Sequence, residues 1–158
     1  MTKIIEATSR EQFTAASELF RAYAHSLDFS LDFQDFEKEL YDLSDMYGPP
    51  CGALFLVQDT DKYVGVAGLR SIENGTACEV KRMYIRSEYQ GKGIGKQLLK
   101  KVIERAKELG YDLVKLDTLG PKMPAAVAPY KSFGFIETLP YNYNPYEGVM
   151  YFEKSLIS

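Results

Sequence analysis

Tyr89-Gln90-Gly91-Lys92-Gly93-Ile94-Gly95-Lys96 stands between two segments of different periodicity, and its reading decides the fold. Before it, Cys78 to Ile85 is short and largely apolar, the length of one strand. After it, Ile94, Leu98, Leu99, Val102, Ile103, Ala106 and Leu109 recur at helical spacing, with lysines, glutamates and Arg105 on the other face. The spacing predicts a helix that runs to Gly110, a suitable C′ residue. Three glycines at alternate positions therefore remove side chains where a helix begins. The first N–H groups of a helix lack internal partners, and its dipole places partial positive charge there. A phosphate can approach such a bare helix start closely, and Lys92 and Lys96 add cationic charge beside it. The plainer reading is a tight strand-to-helix turn with no ligand.

Upstream of the turn, Lys3 to Ala7 predicts a short strand. Glu11 to Leu27 predicts a helix on the spacing of Phe13, Ala16, Leu19, Phe20, Tyr23 and Leu27. Asp32 is placed to cap a second helix carrying Phe33, Phe36, Leu40 and Leu43, closed by Gly48-Pro49-Pro50. Ala53 to Val57, Tyr63 to Leu69 and Cys78 to Ile85 then form an antiparallel meander, its last hairpin marked by Asn74-Gly75. Downstream, Asp112 to Thr118 reads as a strand, so strand, helix and strand make a right-handed crossover and a parallel pair. A shorter helix is expected from about Pro124 to Phe133, ending at Gly134. Two final strands, Phe135 to Thr138 and Val149 to Glu153, flank a tyrosine-rich loop. The expected fold is α+β: a mixed, mostly antiparallel sheet with helices on both faces.

The 158 residues suit a single domain with a sizeable core, and a net charge of −3 argues against a general nucleic-acid surface. No apolar run has the length needed to cross a bilayer, and the first residues do not read as a signal peptide. Cys51 and Cys78 make neither a metal pattern nor a disulfide framework. Each is expected to be a buried small residue in a reducing compartment, which gives a cytoplasmic location by default.

Two phosphate motifs fail against the glycine turn. A Walker A loop needs Ser or Thr after Gly-Lys, whereas Gly95-Lys96 is followed by Gln97 and lacks the earlier glycine. The dinucleotide fingerprint needs a glycine at position 96, which is lysine. Gln90-Gly91-Lys92-Gly93-Ile94-Gly95 instead fits (Arg/Gln)-x-x-Gly-x-(Gly/Ala). That pattern resembles the acyl-CoA pyrophosphate loop of the GNAT superfamily of N-acetyltransferases. The order of elements is similar too: meander, loop, helix, parallel strand, then a helix ending in Tyr130-Lys131-Ser132-Phe133-Gly134-Phe135. Within the superfamily the chain looks like a group of small bacterial acetyltransferases. Lys81-Arg82-Met83-Tyr84-Ile85, Leu116-Asp117-Thr118-Leu119 and Asn144-Pro145 with Gly148 carry that likeness.

The resemblance implies direct acetyl transfer from acetyl-CoA to a primary amine, without metal or covalent enzyme intermediate. The acceptor would be a small molecule, amino acid or peptide, with neither nucleic acid nor membrane as partner, and a homodimer is allowed. A CoA-binding regulatory module without turnover is the alternative. Gln90 to Lys96 would hold the pyrophosphate. Met83, Tyr84 and Ile85 would serve through their backbones, pairing the pantetheine arm and stabilising the oxyanion, where the strand splays from its parallel neighbour. Tyr130 would protonate the leaving thiolate; its plainer role is packing. Met123 stands where many relatives carry an asparagine, and Pro129 interrupts the helix before Tyr130.

Glu79 is the candidate base. Its distance from Gln90 is similar to that of the glutamate base in histone-acetylating members. Strand alternation puts Glu79, Lys81 and Met83 on one face, and a carboxylate inside an apolar strand needs a partner or a task. A structural pair with Lys81 or Arg82, or a role in substrate binding, is the competing explanation. The resemblance also allows an ordered-water relay in place of a side-chain base. Tyr141, Tyr143 and Tyr146 either wall an acceptor pocket or fill a hairpin loop. Phe33-Gln34-Asp35-Phe36 lies where relatives vary to choose acceptors, although its aromatics also suit a core. His25, near a helix C-terminus, reads as a surface or capping residue.

Overall fold

A computed structural model describes residues 2–26, 36–118, 130–142 and 148–157. The chain runs β1 (Thr2–Glu6), α1 (Arg10–Ser26), α2 (Phe36–Tyr41), α3 (Leu43–Tyr47), β2 (Ala53–Asp59), β3 (Lys62–Ile72), β4 (Ala77–Ile85), α4 (Ile94–Glu108), β5 (Leu113–Thr118), β6 (Ile136–Thr138) and β7 (Met150–Ser155). The strands form one sheet in the order β1-β2-β3-β4-β5-β7-β6. Every neighbouring pair is antiparallel except β4 and β5, which are parallel as the crossover requires.

Alternation along the strands builds a core on each face of the sheet. In β2, Ala53, Phe55 and Val57 join the cluster under α4, whose Ile94, Leu98, Leu99, Val102, Ile103 and Ala106 are buried as the helical spacing predicts. Leu54 and Leu56 point the other way, into a cluster with Ala16, Leu19 and Phe20 of α1 and Tyr47 of α3. Gly68 makes room for Tyr47: a Cβ there would sit 2.7 Å from the tyrosine ring.

Several boundaries differ from the sequence reading. α1 starts at Arg10 because Ser9 and Gln12 cap it reciprocally, Gln12 N–H donating to Ser9 Oγ and Ser9 N–H to Gln12 Oε1, each at 3.1 Å. Phe36 and Leu43 fall on two short helices, because Asp42 (φ −99°, ψ 23°) leaves helical geometry between them. Asn74-Gly75 does join antiparallel strands, inside a 3-10 turn over Glu73–Gly75 rather than a two-residue turn. Cys78 is buried as expected, but Cys51 is exposed in the loop before β2. Asp32, Phe33, Gln34, Asp35, Met123, residues 124–129 of the expected shorter helix, Tyr143, Asn144, Pro145 and Tyr146 lie outside the described residues. Among the described residues no helix is long and apolar enough to cross a membrane.

Candidate functional site

Gly93 is the N-cap of α4, at φ +81° and ψ 3°, and Gly91 also has positive φ. Both glycines answer a backbone need. Gly95 does not. It has ordinary helical geometry in the first turn, and a Cβ on it, as on Gly91 or Gly93, would meet no atom within 4 Å. Glycine inside a helix costs about 0.5–1 kcal/mol relative to alanine, so neither packing nor propensity accounts for it. The first turn of α4 carries no acidic residue, which leaves its positive end unneutralised. Lys92 Nζ rests 5.6 Å from the centre of the Tyr89 ring, and the exposed Lys96 follows. Gln90 turns back, its Nε2 donating to the Ile85 carbonyl at 2.7 Å, which ties the turn to the end of β4.

β4 and β5 pair at Ala77↔Leu113, Cys78↔Val114 and Glu79↔Lys115, and then part. Val80 to Ile85 continue without a β5 partner, so the sheet opens beside Met83, Tyr84 and Ile85. The same stretch carries a bulge. Val66 faces Tyr84 and Gly68 faces Lys81, so Arg82 and Met83 together oppose Ala67, with Arg82 at φ +58°. This corrects the expected alternation. Glu79 and Met83 do not share a face, because the extra residue reverses the parity: Met83 packs against the α4 core and Tyr84 against the α1 core.

The face away from α4 is polar at the centre of the sheet. Arg70, Glu79, Lys115 and Glu153 lie in one register row across β3, β4, β5 and β7. Glu79 is almost fully buried, and both its oxygens are engaged: Arg70 Nε donates to Oε1 at 2.9 Å and the Tyr141 hydroxyl to Oε2 at 2.7 Å. The partners are therefore neither Lys81 nor Arg82. Burial, and then the Glu79 charge, raise the Tyr141 phenol above its ordinary value. Lys115 Nζ stacks on the Tyr141 ring at 5.4 Å and pairs with Glu73 Oε2 at 2.6 Å. Asn142 Nδ2 donates to Asp117 at 2.7 Å, while among the described residues its buried Oδ1 has no donor.

Arg82 reaches instead to α2. Its Nε and Nη2 fork the two oxygens of Glu39 at 3.0 and 2.9 Å, the Tyr47 hydroxyl donates to the same carboxylate at 3.0 Å, and the guanidinium lies over Phe36. Burial works to raise the Glu39 carboxyl, but its bonds to Arg82 and that cation's charge hold it below the ordinary value. Lys81 is pushed down by burial and by Arg82.

Tyr130 is buried against Phe135 and Phe152, with ring centres 6.0 and 6.1 Å away. Burial, with Tyr23 and Asp117 adding to it, raises its hydroxyl above the ordinary range. His25 is exposed in the last turn of α1. Residues 13–135 match the model of the acetyltransferase (GNAT) family. The chain belongs to that family. It is accordingly an acetyl-CoA-dependent acyltransferase. An uncharacterized N-acetyltransferase of Schizosaccharomyces pombe is 37% identical over 134 residues, spanning 84% of this chain and 82% of that protein. N-acetylaspartate synthetase of Danio rerio is 34% identical over 116 residues, 72% of this chain but only 41% of that protein. A GNAT-family acetyltransferase of Staphylococcus aureus superposes with a TM-score of 0.81 at 25% identity, covering 99% of this chain and all of that one.

Arg70, Glu39 and Asn142 were not singled out by the sequence. The Asn74-Gly75 hairpin held the signal for Arg70, since folding the chain about that bond sets Arg70 opposite Glu79. Glu39 and Asn142 carry no such local signal.

Proposed function

We propose that this acetyltransferase passes the acetyl group of acetyl-CoA directly to a primary amine of a small molecule, amino acid or peptide. The observation that carries this reading is Gly95, a glycine at an open helix start beside the parting of β4 and β5. A pyrophosphate needs bare N–H groups there, and Gly91 to Lys96 supply them with two lysines, while Gln90 N–H is held by the Ser87 carbonyl and its side chain ties the turn to β4. Met83, Tyr84 and Ile85 offer backbone groups, released from β5, to a pantetheine arm. The thioester is already activated, so holding it against the amine supplies much of the acceleration.

Three tasks remain for side chains and backbone. An N–H at the bulge near Met83 meets the negative charge that develops on the thioester oxygen. Glu79 receives the ammonium proton, its carboxylate steadied by Arg70 and Tyr141. Tyr130 keeps its proton at neutral pH, as a donor to a leaving thiolate must. Cys78 is unsuited to carry a covalent intermediate: burial and the Glu79 charge push its thiol up to about 12.

Thiol release from acetyl-CoA across a broad amine panel tests the proposal. Amine-dependent release is expected. CoA binding with no release for any amine would instead describe a regulatory module.

A further inference from the structure

Tyr141 and Asn142 are consecutive, and they fasten two carboxylates on opposite sides of the β4–β5 parting. The Tyr141 hydroxyl donates to Glu79 of β4, and Asn142 Nδ2 donates to Oδ2 of Asp117 of β5, each at 2.7 Å. Asp117 lies two residues beyond Lys115, the last β5 residue paired with β4. It shares the face of Lys115, since Val114 and Leu116 point into the α4 core. Continuing the register would set Asp117 against Lys81, where the strands have already parted. The two carboxylates differ in their engagement. Glu79 is almost fully buried with a hydrogen bond on each oxygen. Asp117 is half-buried, and among the described residues its Oδ1 receives no hydrogen bond.

Asp117 fixes the orientation of the Asn142 amide, because only the Nδ2 end can donate to an ionised carboxylate. That orientation leaves the amide oxygen buried without a donor among the described residues, which costs stability. An apolar side chain would carry no such cost, so the amide serves Asp117 rather than the fold: it takes one carboxylate oxygen and leaves the other. The Asp117 charge also helps to raise the Tyr23, Tyr130, Tyr141 and Tyr151 hydroxyls, so it acts where Tyr130 would meet the leaving thiolate. Neutral phenols do not neutralise a carboxylate. Lys81 lies in the same field, but burial and Arg82 weigh against its charge.

We propose that Asp117, held by Asn142, binds the ammonium group of the acceptor through its open Oδ1, beside Glu79. The inference rests on the β4–β5 opening being the transfer site. An ammonium has three N–H donors, and a carboxylate accepts at about four sites, so Glu79 keeps lone pairs beyond its two bonds. Asp117 therefore seats the ammonium while Glu79 takes its proton. The acceptor class is a cationic amine, selected by charge against neutral groups of the same size.

The test compares KM for the best acceptor of the amine panel with Ki for its alcohol, in which a hydroxyl replaces the ammonium. The proteins are the wild type, Asp117→Asn, Asn142→Leu and Glu79→Gln, all at one pH. The wild type should favour the amine by about 10²-fold, as a charge-assisted hydrogen bond allows. Asp117→Asn should collapse that ratio through KM. Asn142→Leu should lower it about 10-fold while unfolding at no lower denaturant concentration than the wild type, a split that a structural amide would not show. Glu79→Gln should lower kcat and keep the ratio. Unchanged CoA affinity shows that a variant folds, and should Asp117→Asn fail that check, Asn142→Leu carries the test. A ratio that survives Asp117→Asn or Asn142→Leu, or one that collapses in Glu79→Gln instead, overturns the ammonium site and leaves the transferase reading standing. CoA binding without turnover of any amine overturns the transfer reading, and this inference falls with it.

Discussion

The two sides of the β4–β5 opening are built by opposite means. On the α4 side, Gln90 to Lys96 are contiguous, and a Cβ on any of their glycines meets open space. Across the sheet, the same strand is held by side chains far away in sequence. Arg82 reaches Glu39, 43 residues before it, and Glu79 reaches Tyr141, 62 residues after it. A contiguous turn suits a donor whose pyrophosphate is read by backbone. A face assembled from α2, α3, β3, β4 and the segment before β7 can change piecewise while the turn stays the same. On the proposed reading, the contiguous turn serves the donor and the assembled face serves the acceptor.

The largest expected effect lies on the assembled side. Arg82→Ala leaves the Glu39 carboxylate buried without its cation and should cost about 3–5 kcal/mol in denaturant unfolding. Glu39→Met with Arg82→Met should recover most of it. A loss below about 1 kcal/mol would remove the pair as the anchor of the bulge. The pH dependence has a definite sign. The folded-state carboxyl of Glu39 lies below its ordinary value, so its stabilisation is present above that value and fades as pH falls through the folded-state pKa. Glu39→Gln should lack that acid-side loss.

Tyr130→Phe should lower kcat by roughly 10²-fold with little change in CoA affinity, and unaltered turnover would return Tyr130 to packing. Gly93→Asp forces a side chain into left-handed geometry and adds negative charge at the helix start. CoA affinity measured by calorimetry should fall at least ~10-fold, about 1.4 kcal/mol. Gly95→Ala gives the smallest and most discriminating change. It should stabilise the fold by about 0.5 kcal/mol while weakening CoA about threefold. A gain in both would mean that the bare helix start has no ligand to serve.

Legibility in the sequence followed the same division. The buried residues of α4, the meander, the parallel crossover and the glycine turn all rest on local periodicity or turn chemistry, and the structure has them where the residues indicate. The bulge at Arg82 was not legible, because positive φ at an arginine follows from a tertiary partner, Glu39, and not from its neighbours. Missing it placed Met83 on the wrong face. Arg70 was half legible: the hairpin register sets it against Glu79, but only the folded α3–β2 loop shows a cavity at its other edge.

The most direct measurement is a titration of CoA into isotopically labelled protein, followed by amide chemical shifts. The account predicts saturable shifts concentrated at Gln90 to Lys96 and Met83 to Ile85, with Arg70, Glu79 and Glu39 little affected. Shifts centred on the Arg70 cavity, or no binding below millimolar CoA, would contradict it.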